Sequence, residues 1–97
     1  MNLQKHSKIR LKGPKLAALN KAIHERDGDC CILCGRYVDL GVKFHHCPQG
    51  ADKQDRIECG VVLCDYCHHD IHFGEMLQTL KRQVKDYLKN LYPEYWS

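Results

Sequence analysis

The sequence predicts a small α+β domain with a helix near each end and a short-stranded middle. Three observations carry this. Leu16, Leu19 and Ile23 recur at helical spacing near the start. Leu77, Leu80, Val84, Tyr87, Leu88 and Leu91 form a longer stripe of the same period near the end. Between residues 28 and 64 no such period persists, and short β-branched or aromatic runs alternate with Gly and Asp turns. At 97 residues the chain has room for one small domain.

Residues 1–15 carry Lys5, Lys8, Arg10, Lys12 and Lys15 and no acid, a charge of +5. The other 82 residues hold 10 basic and 12 acidic side chains, so the positive excess of this +3 chain lies at its N-terminus. Residues 1–13 read either as a basic tail that runs along nucleic-acid phosphates or as a solvated terminus. Pro14 suits a helix start and Gly28 the position just past a helix end, which predicts a helix over 14–27. Tyr37-Val38, Val42-Lys43-Phe44 and Ile57 to Leu63 are strand candidates. A short helix is expected over 65–73 and a longer one over 77–91, closed by Pro93. Residues 14–97 form the domain, with its core at about 28–75.

Composition narrows the function classes. No apolar run approaches the roughly 20 residues a membrane helix needs, and the N-terminus lacks the apolar block of a secretory signal. A spanning protein is excluded and a secreted one disfavoured, so a cytoplasmic setting with reduced thiols is expected. Only 8% of the residues are aromatic, which limits the core. Seven cysteines is an odd count for a disulfide scaffold, and seven histidines accompany them. Histidine does nothing for a disulfide framework but serves a metal site. Metal binding would also supply folding free energy that a small core lacks.

The cysteine spacing points to zinc. Cys31-Ile-Leu-Cys34 and Cys64-Asp-Tyr-Cys67 are two CxxC turns, each able to aim both sulfurs at one ion. Together they complete a four-cysteine structural site. The 29 residues between Cys34 and Cys64 exceed the usual ribbon gap of about 15–20, so the metal would staple the base of a long hairpin. A redox CxxC is the bland alternative, and two matching pairs weigh against it. Cys30, Cys47 and Cys59 are then surplus, buried or idle thiols.

A second group of ligands lies apart from the cysteines. His68 and His72, four residues apart on the expected 65–73 helix, share a face and can offer two imidazoles to one ion. His69 points about 100° away and is left out. In a strand, His45 and His46 face opposite sides, so one can join that ion and the other is free for different chemistry. Three ligands with open positions describe a catalytic metal rather than a structural one. The bland alternative is surface histidines beside a zinc knuckle.

These residues resemble a family. Arg26-Asp27-Gly28, Cys31-x-x-Cys34-Gly35, His45-His46-Cys47-Pro48, and Gly60-Val61-Val62-Leu63-Cys64-x-x-Cys67-His68-x-x-x-His72 together resemble the HNH endonucleases, and within them the small zinc-stapled type of bacteriophages and prophages. The resemblance covers about residues 14–75. It implies a ββα-metal (His-Me finger) core stapled by the Cys31, Cys34, Cys64 and Cys67 zinc, with flanking N- and C-terminal helices. It implies that His45 binds the catalytic metal and His46 is the general base. It makes His68 a metal ligand, and His72 a ligand or a phosphate holder. One position departs from the family. The middle Asn, which braces the loop of the base, is replaced by Cys59, and Asn2, Asn20 and Asn90 are all distant in sequence. A thiol is a weak donor and would brace poorly.

The implied activity is metal-dependent hydrolysis of DNA phosphodiesters, by nicking or double-strand cleavage, leaving 5′-phosphate and 3′-hydroxyl ends. His46 takes a proton from water, and a divalent ion on His45, His68 and His72 (Zn, Ni, Mn, Co or Mg) takes up developing charge. Lys81, Arg82, Lys85 and Lys89, off the last apolar stripe, offer phosphate contacts with little base specificity. By family analogy the partners are DNA and phage packaging proteins such as terminase. The competing readings are a noncatalytic zinc module that binds DNA or protein, and a single-zinc redox protein using the surplus cysteines.

Overall fold

A computed structural model describes residues 9–96 of the chain. It is a small α+β fold of three helices and one two-stranded antiparallel sheet, in the order α1 (Gly13–Asp27), β1 (His45–His46), β2 (Gly60–Val61), α2 (Asp65–Phe73) and α3 (Leu77–Leu91). Single turns of 3-10 helix lie at Gly50–Asp52 and Ile57–Cys59. Among the described residues no helix is long and apolar enough to cross a membrane.

The helices fall where the sequence periods place them. α1 ends as expected, with Gly28 left-handed (φ 68°) and the N–H of Asp29 returning to the carbonyl of His24 at 2.8 Å. Ile23 of its stripe is fully buried, and Leu16 and Leu19 pack against the core from its edge. α3 ends two residues before Pro93 and buries Val84 and Leu88. These meet Ile71 of α2, Phe44 and Val61–Leu63 in one apolar cluster. Gly60 is required at its centre: a Cβ there would sit 2.6 Å from a Phe44 ring carbon and 2.7 Å from Ile23 Cδ1.

The strands are shorter than the sequence suggests, and the reason is competition for backbone groups. Tyr37-Val38 and Val42-Lys43-Phe44 are not strands; Tyr37 makes one isolated bridge to Cys30. Side chains of α1 take the groups a strand partner would have used. Asn20 accepts from the Phe44 N–H at 2.8 Å and donates to the Leu40 carbonyl at 3.1 Å. His24 Nε2 bonds the Val42 carbonyl at 2.7 Å. Ile57 to Leu63 likewise yields only Gly60–Val61, antiparallel to β1 with His45 opposite Val61 and His46 opposite Gly60.

Arg26 and Asp27 organise that second segment. Arg26 donates to the Ile57 carbonyl at 2.6 Å and to the Gly60 carbonyl at 2.5 Å. Asp27 pairs with Arg26 Nε at 2.8 Å and takes the Val62 N–H at 2.9 Å and the Tyr87 hydroxyl. The Asp27 side chain is fully buried. Arg26, Val62 and Tyr87 supply the hydrogen bonds that offset its burial, and thereby tie α1, the residue after β2 and α3 together.

Lys5 and Lys8 of the expected basic tail lie outside the described residues. The described part, residues 9–12, runs alongside Asp55. The Asp55 N–H donates to the Ile9 carbonyl at 2.8 Å, and its carboxylate takes the Leu11 N–H at 2.7 Å and Arg10 Nε at 3.3 Å.

Candidate metal centres and base

The four cysteines predicted to hold zinc converge. Their sulfurs all lie within 4.8 Å of one another, and Cys34 Sγ is 3.6 Å from Cys64 Sγ. A tetrahedral zinc with Zn–S near 2.3 Å sets its sulfurs about 3.8 Å apart, so the cluster fits that ion. Its electrostatics ask for a cation as well. Although burial opposes it, backbone hydrogen bonds from Cys64, Cys34 and Leu33 bring the Cys31 thiol down to about 7. Burial and hydrogen bonds with Cys31 and Cys64 push Cys67 strongly up. Four thiolates crowd one another unless a metal neutralises them.

The same cluster builds the next one. Cys64 is the N-cap of α2: its sulfur accepts from the Cys67 N–H at 3.5 Å, and its carbonyl accepts from the His68 N–H at 2.8 Å. α2 then carries His68 and His72 on one face, opposite His45 of β1. The ligand nitrogens of His45, His68 and His72 also lie within 4.8 Å of one another. Their rings are close to mutually perpendicular, with centroids 4.9–5.6 Å apart. His69 stays apart, as its helical position requires, beside Asp70 and Phe73.

His45 is suited to ligation. Burial, then the neighbouring His68 and His72, push its pKa down to about 3, so it is a free base at neutral pH. The Gln49 side-chain amide donates to His45 Nε2 at 2.9 Å and takes up the lone pair there, so Gln49 has to release it, or the ring has to change tautomer, for His45 to ligate. His72 is lowered too, by burial and by His68 and Lys81.

A pH dependence follows from His45. Unfolded, it takes a proton near pH 6.5; folded, only near pH 3. Between those values the unfolded chain binds the extra proton, so this stability is full above about 6.5 and is lost on acidification. For protein carrying one equivalent of zinc, the expected loss is up to about 1.4 kcal/mol per pH unit. Urea unfolding of wild type and His45→Gln at pH 7.5, 6 and 5 checks this. The variant should lose stability less steeply by that amount, and parallel losses would refute it.

His46 points the other way, as strand geometry predicts. Its Nε2 lies 2.8 Å from Asp55 Oδ1, and its ring is 4.8 Å from that of Phe44. A carboxylate only accepts, so Nε2 carries the proton and Nδ1 of the neutral ring carries the lone pair. Burial, partly offset by Asp55, holds the His46 pKa below its ordinary value. The Asp55 carboxylate is 1% exposed. Burial would raise its pKa, but hydrogen bonds from His46 and the Leu11 N–H hold it below the usual range.

Asp55 was not among the residues singled out from the sequence. It lies in a polar run, Asp52-Lys53-Gln54-Asp55-Arg56, four of whose five residues are charged, with nothing local to distinguish it from a solvated loop. Asn20, remote in sequence, holds the Phe44 N–H immediately before His45. In the turn just before β2 the Cys59 carbonyl accepts from the Cys47 N–H at 2.9 Å, and its thiol meets the Tyr95 hydroxyl at 3.3 Å. Burial and Cys59 push the Cys47 thiol up to about 11, and burial raises Cys59. Such thiols are poor nucleophiles at neutral pH, which disfavours the redox reading. Comparison with protein-family models, curated proteins and solved structures finds no match to this chain.

Proposed function

We propose that this chain is a metal-dependent DNA endonuclease of ββα-metal architecture. The observation that carries the reading is the division of labour across β1. His45 joins His68 and His72 on one side, and His46 is held by a buried carboxylate on the other. A noncatalytic zinc module has no use for three converging imidazoles beside an oriented, unligated fourth.

His46 Nδ1 accepts a proton from water as that water's oxygen bonds to phosphorus and the P–O3′ bond breaks. The proton then leaves toward the departing 3′ oxygen or solvent, giving 5′-phosphate and 3′-hydroxyl ends. Asp55 fixes the ring through Nε2–H and offsets the imidazolium charge that appears when Nδ1 is protonated. A divalent ion held by His45, His68 and His72 supplies Lewis-acid stabilisation of the charge developing on the phosphate. His46 is held by Asp55 on the other side of β1, outside the three converging histidines. Lys53, which shares a hollow with His45, His46, His68 and His72, adds positive charge where a phosphate would lie.

The test is cleavage of supercoiled plasmid by zinc-loaded protein, with EDTA or with added Mn, Ni, Mg or Zn. Metal-restored nicking is expected, and His46→Ala should slow it by about 10²–10⁴-fold, the usual contribution of a general base. His46→Ala should keep its zinc and a cooperative melting transition, at a somewhat lower temperature because Asp55 Oδ1 loses its partner. A folded wild-type protein that cleaves with none of these metals would transfer the reading to a zinc-binding DNA or protein module.

A further inference from the structure

Beside the histidine centre lies a second hollow, of about 310 Å³, lined by His45, His46, Cys47, Pro48, Gln49, Ile71, Lys81 and Val84. Resting on the nuclease reading above, we propose that this hollow binds the nucleotide adjoining the cleaved phosphate. Its sugar and base would lie on Pro48, Ile71 and Val84, and its outer phosphate would lie on Lys81.

Three observations lead there. The first is continuity. His45, His46 and Gln49 line both this hollow and the one holding His68, His72 and Lys53. A phosphate at the histidines therefore sits where the two hollows meet, and a strand passing through it must place a neighbouring nucleotide in one of them. The second is size and lining. About 310 Å³ is at the small end of ligand sites, which run roughly 300–1,000 Å³, and so suits one nucleotide. Among the described residues its wall mixes apolar side chains with one cation and has no carboxylate.

The third is the charge of Lys81. Of the four basic residues off the α3 stripe, Lys81 alone lines this hollow, whereas Lys85 lies 5.7 Å from the Trp96 ring centroid. Lys81 shares this hollow with His45, one of the three converging histidines. Its charge repels a divalent ion held there. An ammonium placed beside a cation site lowers that site's affinity unless an anion lies between them. A nucleic-acid strand supplies that anion, with one phosphate at the histidines and the next at Lys81. Substrate and metal then raise each other's affinity by the same factor.

The probe is thymidine 3′,5′-bisphosphate, which carries two phosphates on one nucleoside, compared with inorganic phosphate. Both are titrated into zinc-loaded protein with Mn added at the histidine site. The bisphosphate should bind at least tenfold more tightly than phosphate. Lys81→Glu should remove that advantage and leave phosphate binding much closer to wild type. Lys21→Glu, an exposed charge change on α1, should leave both unchanged. Bound bisphosphate should tighten Mn binding more in the wild type than in Lys81→Glu. Equal binding of the two probes, or equal effects of Lys81→Glu and Lys21→Glu, would overturn the nucleotide site while plasmid cleavage still upheld the nuclease. Failure of the Mn-loaded chain to bind either probe would overturn both.

Discussion

Replacing Cys64 with serine is expected to unfold the chain and to dismantle the histidine centre with it. Cys64 is buried, its sulfur is 3.6 Å from Cys34 Sγ, and it caps α2 through sulfur and carbonyl alike. A structural zinc contributes on the order of 10–16 kcal/mol of apparent binding free energy. Domains of this kind are stable by only about 5–15 kcal/mol in total. The zinc term is therefore as large as the whole margin, and no rearrangement of a 97-residue core can replace it. Cys64→Ser should lose its zinc, its cooperative melting transition and Mn binding at the histidines together. Cys30→Ser, whose sulfur lies outside the cluster, should retain all three. A Cys64→Ser protein that melts cooperatively within a few degrees of wild type would show that the apolar cluster holds the fold without the metal.

The difference between what the sequence discloses and what it hides is one of range. Helix periods, the cap at Gly28 and the stop before Pro93 depend on neighbours within a few residues, and all three appear in the structure. The CxxC spacing works the same way, because each pair is one local turn and only the joining of the two is long-range. His68 and His72 share a face by helical geometry alone, and His45 and His46 separate by strand geometry alone. The strands around Val42 and Ile57 were misleading because their side chains favour extended backbone while their partners are not strands. Asn20, His24, Arg26 and Asp27 of α1 take those backbone groups instead. No periodicity records such side-chain-to-backbone bonds across 18 to 35 residues. Asp55 was hidden for the same reason: its importance lies in what the fold brings to it.

Asp55→Asn is expected to lower the turnover of DNA cleavage by about 10²–10³-fold while changing KM little. The carboxylate meets His46 Nε2 at 2.8 Å in a setting where its own side chain is 1% exposed. When His46 accepts a proton, the ring becomes a cation against a fixed anion. Two unit charges about 4 Å apart at an effective dielectric of about 20 attract by roughly 4 kcal/mol, near a thousandfold in rate. Asparagine keeps the shape and can still accept from Nε2–H, but it removes that attraction. Because Asp55 touches the base and not the phosphate, the loss should fall on turnover rather than on substrate affinity. Asp55→Ala removes more. It strands the Leu11 N–H and Arg10 as well as His46, and a buried donor left unpaired costs about 1–3 kcal/mol. That variant should melt lower than Asp55→Asn and be at least as slow. Nitrogen-15 spectra of the His46 ring in the zinc-loaded protein report the tautomer directly, without any cleavage. Wild type should show the proton on Nε2 and the bare nitrogen at Nδ1, and Asp55→Ala should show the two forms mixed. A wild-type spectrum with Nδ1 protonated would put the lone pair on the nitrogen facing Asp55, where it cannot take a proton from water. Equal losses of kcat and melting temperature in Asp55→Asn, with the tautomer unchanged throughout, would reduce Asp55 to a fastener for residues 9–11.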